Sequence, residues 1–232
     1  MLVSLILFPA TFYYLSPAVP MMGAAEGIVS GSLIMFAIFF VTSLFAGRIF
    51  CAWLCPGGAM GDIASKFRTK AVSKKIRWTK YIIWLPWITG LVFLFRKNGG
   101  VKSIDMTYQT KFGLSVSNVH SLIIYLIVCA IIFISAMAVG KRGGCHTICW
   151  MSPFMIIGRK LSVILKIPRL KLIADKESCT SCGRCVRGCP MSLDVKEMVI
   201  EDKMESVDCI LCGNCADECP AGVIRYSVGI KP

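Results

Sequence analysis

Twelve of the 13 cysteines fall into patterned groups. "CTSCGRCVRGCP" carries Cys179, Cys182, Cys185 and Cys189, followed by Pro190. "CILCGNCADECP" carries Cys209, Cys212, Cys215 and Cys219, followed by Pro220. Each reads C-x2-C-x2-C-x3-C-P. Three thiolates at that short spacing wrap three irons of one cubane and leave backbone amides free to hydrogen-bond its sulfides. The fourth reaches a second cluster, and the proline turns the chain away. A further group is divided along the chain. "RIFCAWLCPGG" holds Cys51 and Cys55, and "GGCHTICWMSP" holds Cys145 and Cys149, both as C-x3-C. Cys129 stands alone in an apolar run and reads as a small hydrophobe.

The duplicated run resembles the two-cluster bacterial ferredoxins over about residues 172–230. The resemblance implies one [4Fe–4S] cluster on Cys179, Cys182, Cys185 and Cys219, and a second on Cys209, Cys212, Cys215 and Cys189. Zinc is the competing ion. It takes four ligands, commonly from two C-x2-C pairs, whereas eight cysteines in two complete runs follow the iron–sulfur pattern.

The elements that position these groups follow from composition. Of the 232 residues, 56% are hydrophobic. Met1–Ala25, Gly27–Gly47 and Phe112–Gly140 carry no charged residue, and Tyr81–Phe95 is a shorter run of the same kind. A spanning helix needs roughly 20 apolar residues. The short run is flanked by Trp78, Tyr81, Trp84 and Trp87, which suit a membrane interface, and by Lys80 and Arg96, which can snorkel. Its other reading is a buried or re-entrant helix. The expectation is four transmembrane helices. The first run lacks the basic leader of a signal peptide and contains Pro9, Pro17 and Pro20. It reads as the first helix, with a break near Pro9 and an exit loop at Ser16–Pro20.

Orientation follows from the basic residues. Arg48, Lys66, Arg68, Lys70, Lys74, Lys75, Arg77 and Lys80 separate helices two and three. Lys141, Arg142, Arg159, Lys160, Lys166, Arg169 and Lys171 follow helix four. The positive-inside rule then puts both termini, and the cysteine-rich tail, in the cytoplasm of a multi-pass inner-membrane protein. Residues 1–171 carry 19 Lys+Arg against 3 Asp+Glu, and residues 172–232 carry 7 against 10. The basic excess therefore belongs to the membrane part and reads as topology signal and contact with anionic lipid, not as a nucleic-acid surface. Disulfides are rare on the cytoplasmic side, so clustered cysteines there point to metal or redox chemistry.

The two C-x3-C pairs each follow a basic residue at the inner end of an apolar helix. The chain thus reads as two parallel hairpin repeats related by an axis along the membrane normal. Residues i and i+4 share a helix face, so Cys51, Cys55, Cys145 and Cys149 would converge on one site. That site reads as a shared metal or iron–sulfur centre, as redox thiols beside Arg and Lys, or as an inert buried set.

Four helices, two such motifs and a two-cluster tail resemble the NapH-, NosR- and CcoG-like membrane polyferredoxins, with the overall plan of the NapH-type quinol dehydrogenase membrane subunit. "GRIFCAWLCPGGAMGD" and "CHTICWMSP" carry the resemblance. The second motif departs from it, with Trp150 after Cys149 where the family has proline. The chain thus reads as a four-helix domain at 1–152, a linker at 153–171 and an α+β ferredoxin-like domain at 172–232; the mixed basic and apolar "RKLSVILKIPRL" suits an interfacial segment, or else an ordinary linker that packs on the ferredoxin unit. The resemblance implies electron relay between the quinone pool, or a membrane partner, and another redox protein, within a complex in the bilayer. The CcoG-like relatives imply an alternative, copper reduction or metal handling, for which Met21–Met22 and Met151–Met155 read as soft ligands or else as core filler. A sensor or assembly scaffold is a third class.

Absences narrow this. There is no C-x-x-C-H, so covalent haem is not expected. The histidines, His120 and His146, read to opposite faces, which excludes a bis-histidine haem from this chain. No dinucleotide fingerprint or P-loop is present. A bound quinone would need a proton acceptor, and Glu26, Asp105 and His120 are the ionisable groups expected near the outer face. Their other reading is solvated loop and cap residues.

Overall fold

The computed structural model describes residues 1–230. The first apolar run is not one helix. It folds as α1 (Leu2–Ile6), α2 (Phe8–Thr11), a 3-10 turn at Tyr13–Leu15 and α3 (Ala18–Glu26). Proline is the reason. Without an N–H it cannot continue a helix, yet it sits easily in the first turn of a new one. Pro9 does this in α2, and Pro17 directly precedes α3. The expected exit loop shrinks to Ser16 and Pro17, because Pro20 lies in the first turn of α3.

β1 (Ile28–Ser30) leads into α4 (Gly31–Ala46). At 1.5 Å per residue α4 is about 24 Å long, short of the roughly 30 Å hydrocarbon core. The short α5 (Ile49–Trp53) and α6 (Pro56–Phe67) follow, then a 3-10 turn and α7 (Thr79–Lys97). β2 (Ser103–Asp105) pairs in parallel with β1, Ile28 opposite Ser103, and ties the far ends of the two halves together. α8 (Val119–Val139) completes the apolar set, its start capped by Asn118.

Two helices among the described residues are long and apolar enough to cross a membrane, Lys75–Lys97 and Val119–Val139. Ile82, Leu85 and Phe93 on the first and Ile123, Leu126, Ile127 and Ile134 on the second face outward. Rows of exposed large apolar side chains on such helices suit lipid better than water. The expectation of four continuous spans thus narrows to two long helices, one shorter apolar helix and a broken segment.

The two halves repeat. α4 is followed by the five-residue α5 and the 12-residue α6. α8 is followed by the five-residue α9 (Gly143–Thr147) and the 13-residue α10 (Ser152–Ile164). Pro56 and Pro153 stand in the first turns of α6 and α10. α5 and α9 fold back along the helices they follow. Phe50 packs on Phe39 with ring centroids 4.2 Å apart, and Gly144 lies against Ile132 and Ser135. α6 and α10 then run out again and cross over, α6 packing on α8 and α10 on α4. A Cβ at Gly158 would overlap the Ser43 hydroxyl and approach the Phe40 carbonyl oxygen to 2.7 Å, so only glycine permits this approach. The cysteine pairs therefore sit on two re-entrant turns beside the middle of α4 and α8, not at the inner helix ends.

The segment expected to be an interfacial linker holds α10, which buries Met155, Ile156, Gly158, Arg159 and Ser162. Beyond it, β3 (Arg169–Ala174) pairs antiparallel with β4 (Ile224–Gly229), Arg169 opposite Gly229. α11 (Arg184–Gly188), α12 (Val195–Ile200) and α13 (Asn214–Asp217) lie between them. Leu172, Met191, Leu193, Val199, Ile210 and Ile224 form the core of this unit.

Candidate functional site

Two cavities in the C-terminal unit collect its cysteines. One is lined by Cys189, Cys209, Cys212 and Cys215 with Pro190, Met191, Leu193 and Ile210. The other is lined by Cys179, Cys182, Cys185 and Cys219 with Val199, Val223 and Ile224. Each takes three cysteines from one run and the fourth from the other. The runs share an unusual backbone. Ser181 and Gly183 in the first, and Leu211 and Gly213 in the second, all have positive φ. Left-handed residues in a turn expose successive N–H groups as an anion-binding nest, which suits the sulfides of a cluster. The Leu193 N–H already donates to Cys189 Sγ at 3.4 Å.

The donor chemistry also fits. Burial pushes the thiols of Cys209 and Cys215 up to about 11 and about 12. Such thiols stay protonated at neutral pH unless a metal cation takes the proton's place. Cys182 differs: it is exposed, and a hydrogen bond from the Arg184 backbone lowers its pKa.

Cys51, Cys55, Cys145 and Cys149 come together from the two re-entrant turns and lie within electrostatic reach of one another. Cys55, Cys145 and Cys149 line a cavity of about 60 Å³, walled by Phe8, Phe12, Leu15, Val128, Ile132 and Trp150. The two cavities of the C-terminal unit are about 20 Å³ each. Cys51 is buried, with Sγ 3.5 Å from Met155 Sδ. Trp150, at the position where the motif departs from proline, donates its indole N–H to the Leu15 carbonyl at 2.8 Å. The departure thus anchors the second turn to the broken N-terminal segment. Among the described residues, no three Cys, His, Asp or Glu side chains close on a single ion position.

Several polar residues here escape sequence reasoning. Asp208, next to Cys209, receives Lys80 Nζ at 2.8 Å, Arg77 Nη1 at 3.4 Å and Arg48 Nη1 at 3.7 Å. Burial pushes its carboxyl up, but Lys80, Arg48 and Arg77 outweigh this and hold it below the ordinary value. Arg142 donates its Nη2 to Asp62 at 2.6 Å and its Nη1 to the Cys51 carbonyl at 2.8 Å. Glu205 accepts from Arg169 at 2.6 Å and pairs with Arg159 at 3.1 Å. His146 is fully buried, and among the described residues neither ring nitrogen has a partner. One signal was legible in advance: an arginine stands three residues before the first cysteine of each pair, Arg48 and Arg142.

These contacts order the cysteine sets. Leu211 packs toward Gly47, and Cys212 shares an open groove of about 520 Å³ with Trp53, Asp62 and Arg142. The Cys189/Cys209/Cys212/Cys215 cavity therefore faces the re-entrant turns, while the other set reaches solvent at Cys182. Glu26, Asp105 and His120 are exposed and line none of the cysteine-bearing cavities. Asp105 Oδ1 accepts from the Thr107 N–H and hydroxyl, as a turn residue does.

Comparison with known proteins agrees with the cysteine patterns. Residues 31–78 match a family model described as a 4Fe-4S binding domain, and residues 171–220 match one described as a 4Fe-4S dicluster domain. The chain is 24% identical over 189 residues to an uncharacterized protein of Methanocaldococcus jannaschii, covering 78% of this chain and 66% of that one. It is 21% identical over 199 residues to the putative electron transport protein YccM of Escherichia coli, covering 81% and 54%. It is 26% identical over 178 residues to the methylamine utilization ferredoxin-type protein MauN of Methylobacillus flagellatus, covering 72% and 55%. The chain thus spans between about half and two thirds of the length of these relatives. No solved structure matches.

Proposed function

We propose that this chain is a membrane-bound iron–sulfur electron-transfer protein. In this reading it relays electrons between a membrane donor or the quinone pool and another redox protein, as one subunit or adaptor of a membrane complex. Cys179, Cys182, Cys185 and Cys219 hold one [4Fe–4S] cluster, and Cys209, Cys212, Cys215 and Cys189 hold a second. Such clusters supply one-electron transfer. Cys51, Cys55, Cys145 and Cys149 hold a third, tetrathiolate iron–sulfur centre. α4 and the broken N-terminal segment complete the membrane domain with α7 and α8, and the termini and C-terminal unit lie in the cytoplasm. The names of YccM and MauN, an electron transport protein and a ferredoxin-type protein, favour this class.

The observation that carries the reading is the serial order of the cysteine sets, from the buried re-entrant turns to the facing cavity to the exposed Cys182. The test is iron and acid-labile sulfide analysis of the full chain, loaded anaerobically in detergent. Three cubanes predict about twelve irons per chain, and the C-terminal pair alone about eight. Zinc without sulfide would overturn the reading. A copper-handling role draws on one observation, the soft-donor pair Cys51 Sγ and Met155 Sδ at 3.5 Å. Stoichiometric copper without a third cluster's iron would favour it.

A further inference from the structure

Arg48 and Arg142 occupy equivalent places in the two repeats, directly before α5 and α9. Both are buried, 1% and 2% exposed. Their charges are treated differently. Arg142 is matched by Asp62 and by the Cys51 carbonyl. Arg48 reaches Asp208 only through Nη1, at 3.5 Å to the backbone oxygen and 3.7 Å to the carboxylate. Its Nε and Nη2 are buried and, among the described residues, have no hydrogen-bond partner. Asp208 is already shared with Lys80, 2% exposed, and Arg77, 11% exposed. Three cations therefore meet one carboxylate in the interior.

A buried charge without a counter-charge is strongly unfavourable. Thiolates that held a cluster on either side would supply the missing anions. Arg48 lies within electrostatic reach of Cys51, Cys149 and Cys145, and Asp208 is the chain neighbour of Cys209. A cubane of formal charge +2 in four thiolates carries a net −2, and one more negative charge when reduced. Two such centres would repel each other unless positive charge lay between them.

We propose that Arg48, with Arg77 and Lys80, is a fixed cationic bridge between the four-cysteine centre and the Cys189/Cys209/Cys212/Cys215 cluster. It offsets the negative charge of both and so favours their reduced forms. The inference rests on the reading that the re-entrant cysteines hold an iron–sulfur centre. Arg142 also reaches Cys145, Cys55 and Cys212, but Asp62, its ion-pair partner, acts on Cys145 and Cys212 in the opposite sense.

The test is a redox titration of the loaded full chain, followed by electron paramagnetic resonance. The centre's signal is identified by its loss in Cys145→Ser. Arg48→Gln should move its oxidised-to-reduced ratio at least tenfold toward oxidised at fixed potential. For a one-electron couple that is a midpoint lowered by 59 mV. Arg48→Lys should retain most of the wild-type potential. Lys160→Gln removes the same charge from the exposed face of α10 and should leave the midpoint unchanged. If Arg48→Gln does not hold its iron, Arg77→Gln, at the rim of the cluster, carries the test and should shift the midpoint in the same direction by less. Wild-type protein with about eight irons would remove the four-cysteine centre and this inference with it. About twelve irons, with an unshifted midpoint in Arg48→Gln or its substitute, would overturn the bridge alone.

Discussion

Replacing Gly158 with alanine probes the crossed packing that brings the two re-entrant turns together. The new Cβ would overlap the Ser43 hydroxyl and lie 2.7 Å from the Phe40 carbonyl oxygen. A serine side chain can rotate, but a carbonyl inside α4 cannot. Overpacking a tight contact costs about 1–3 kcal/mol, and a backbone obstacle puts this case near 3. Alanine recovers about 1 kcal/mol of helix propensity, leaving a net loss of about 2 kcal/mol. α10 must move off α4, and with it Met155 leaves Cys51 and Phe154 leaves Phe36, whose rings now stack at 5.5 Å. Thermal unfolding in detergent, with iron counted per chain, reads both effects. The midpoint should fall, and under the proposed function iron should be lost from the four-cysteine centre while the two C-terminal clusters persist. Adding Ser43→Ala should restore only part of the loss, because the Phe40 carbonyl remains. Gly90→Ala is the control: its nearest neighbour is the flexible end of Met21 at 3.3 Å. A Gly158→Ala protein with wild-type midpoint and iron content would refute the packing argument.

Asp208→Asn leaves Arg48, Arg77 and Lys80 without their carboxylate and should weaken docking of the C-terminal unit by about 3 kcal/mol; hydrogen exchange at residues 205–212 would rise, and unchanged exchange counts against the role. Burial pushes the Asp208 and Glu205 carboxyls up, but their cationic partners outweigh it and hold both below the ordinary 3.8 and 4.5. A depressed folded pKa contributes stability that is complete above the unfolded value and is lost as pH falls through the folded one. Exchange protection at the docking surface should therefore be flat from about pH 7 to 5 and decline below about pH 4, whereas a decline centred near pH 6 would implicate a different group. Lys97→Cys, exposed at the end of α7, should be labelled by an impermeant thiol reagent only from the side opposite the C-terminus. Labelling from the C-terminal side would mean that α8 does not cross the membrane.

The grouping of three cysteines within each C-terminal run was legible, because C-x2-C-x2-C is a local pattern of a few residues. Apolar run length was legible too, and α7 and α8 stand where Tyr81–Phe95 and Phe112–Gly140 lie, with ends shifted by a few residues. The breaks in the first run were signalled by Pro9 and Pro17, although the chain resumed helix through Pro20. Composition says little about the path taken after an apolar helix ends. "RIFCAWLCPGG" is as compatible with a chain that runs on past the helix end as with a turn that folds back along it. Tertiary packing decides between them: Gly158 fits against Ser43, Phe50 against Phe39, and Trp150 reaches Leu15 across 135 positions. The cation cluster on Asp208 is assembled from residues 128 to 160 positions away. A lone aspartate before a cysteine gives no sign of such partners. Local ligand geometry is written in sequence because neighbouring residues carry it. Burial of a charge is not, because it depends on which distant segments close over it.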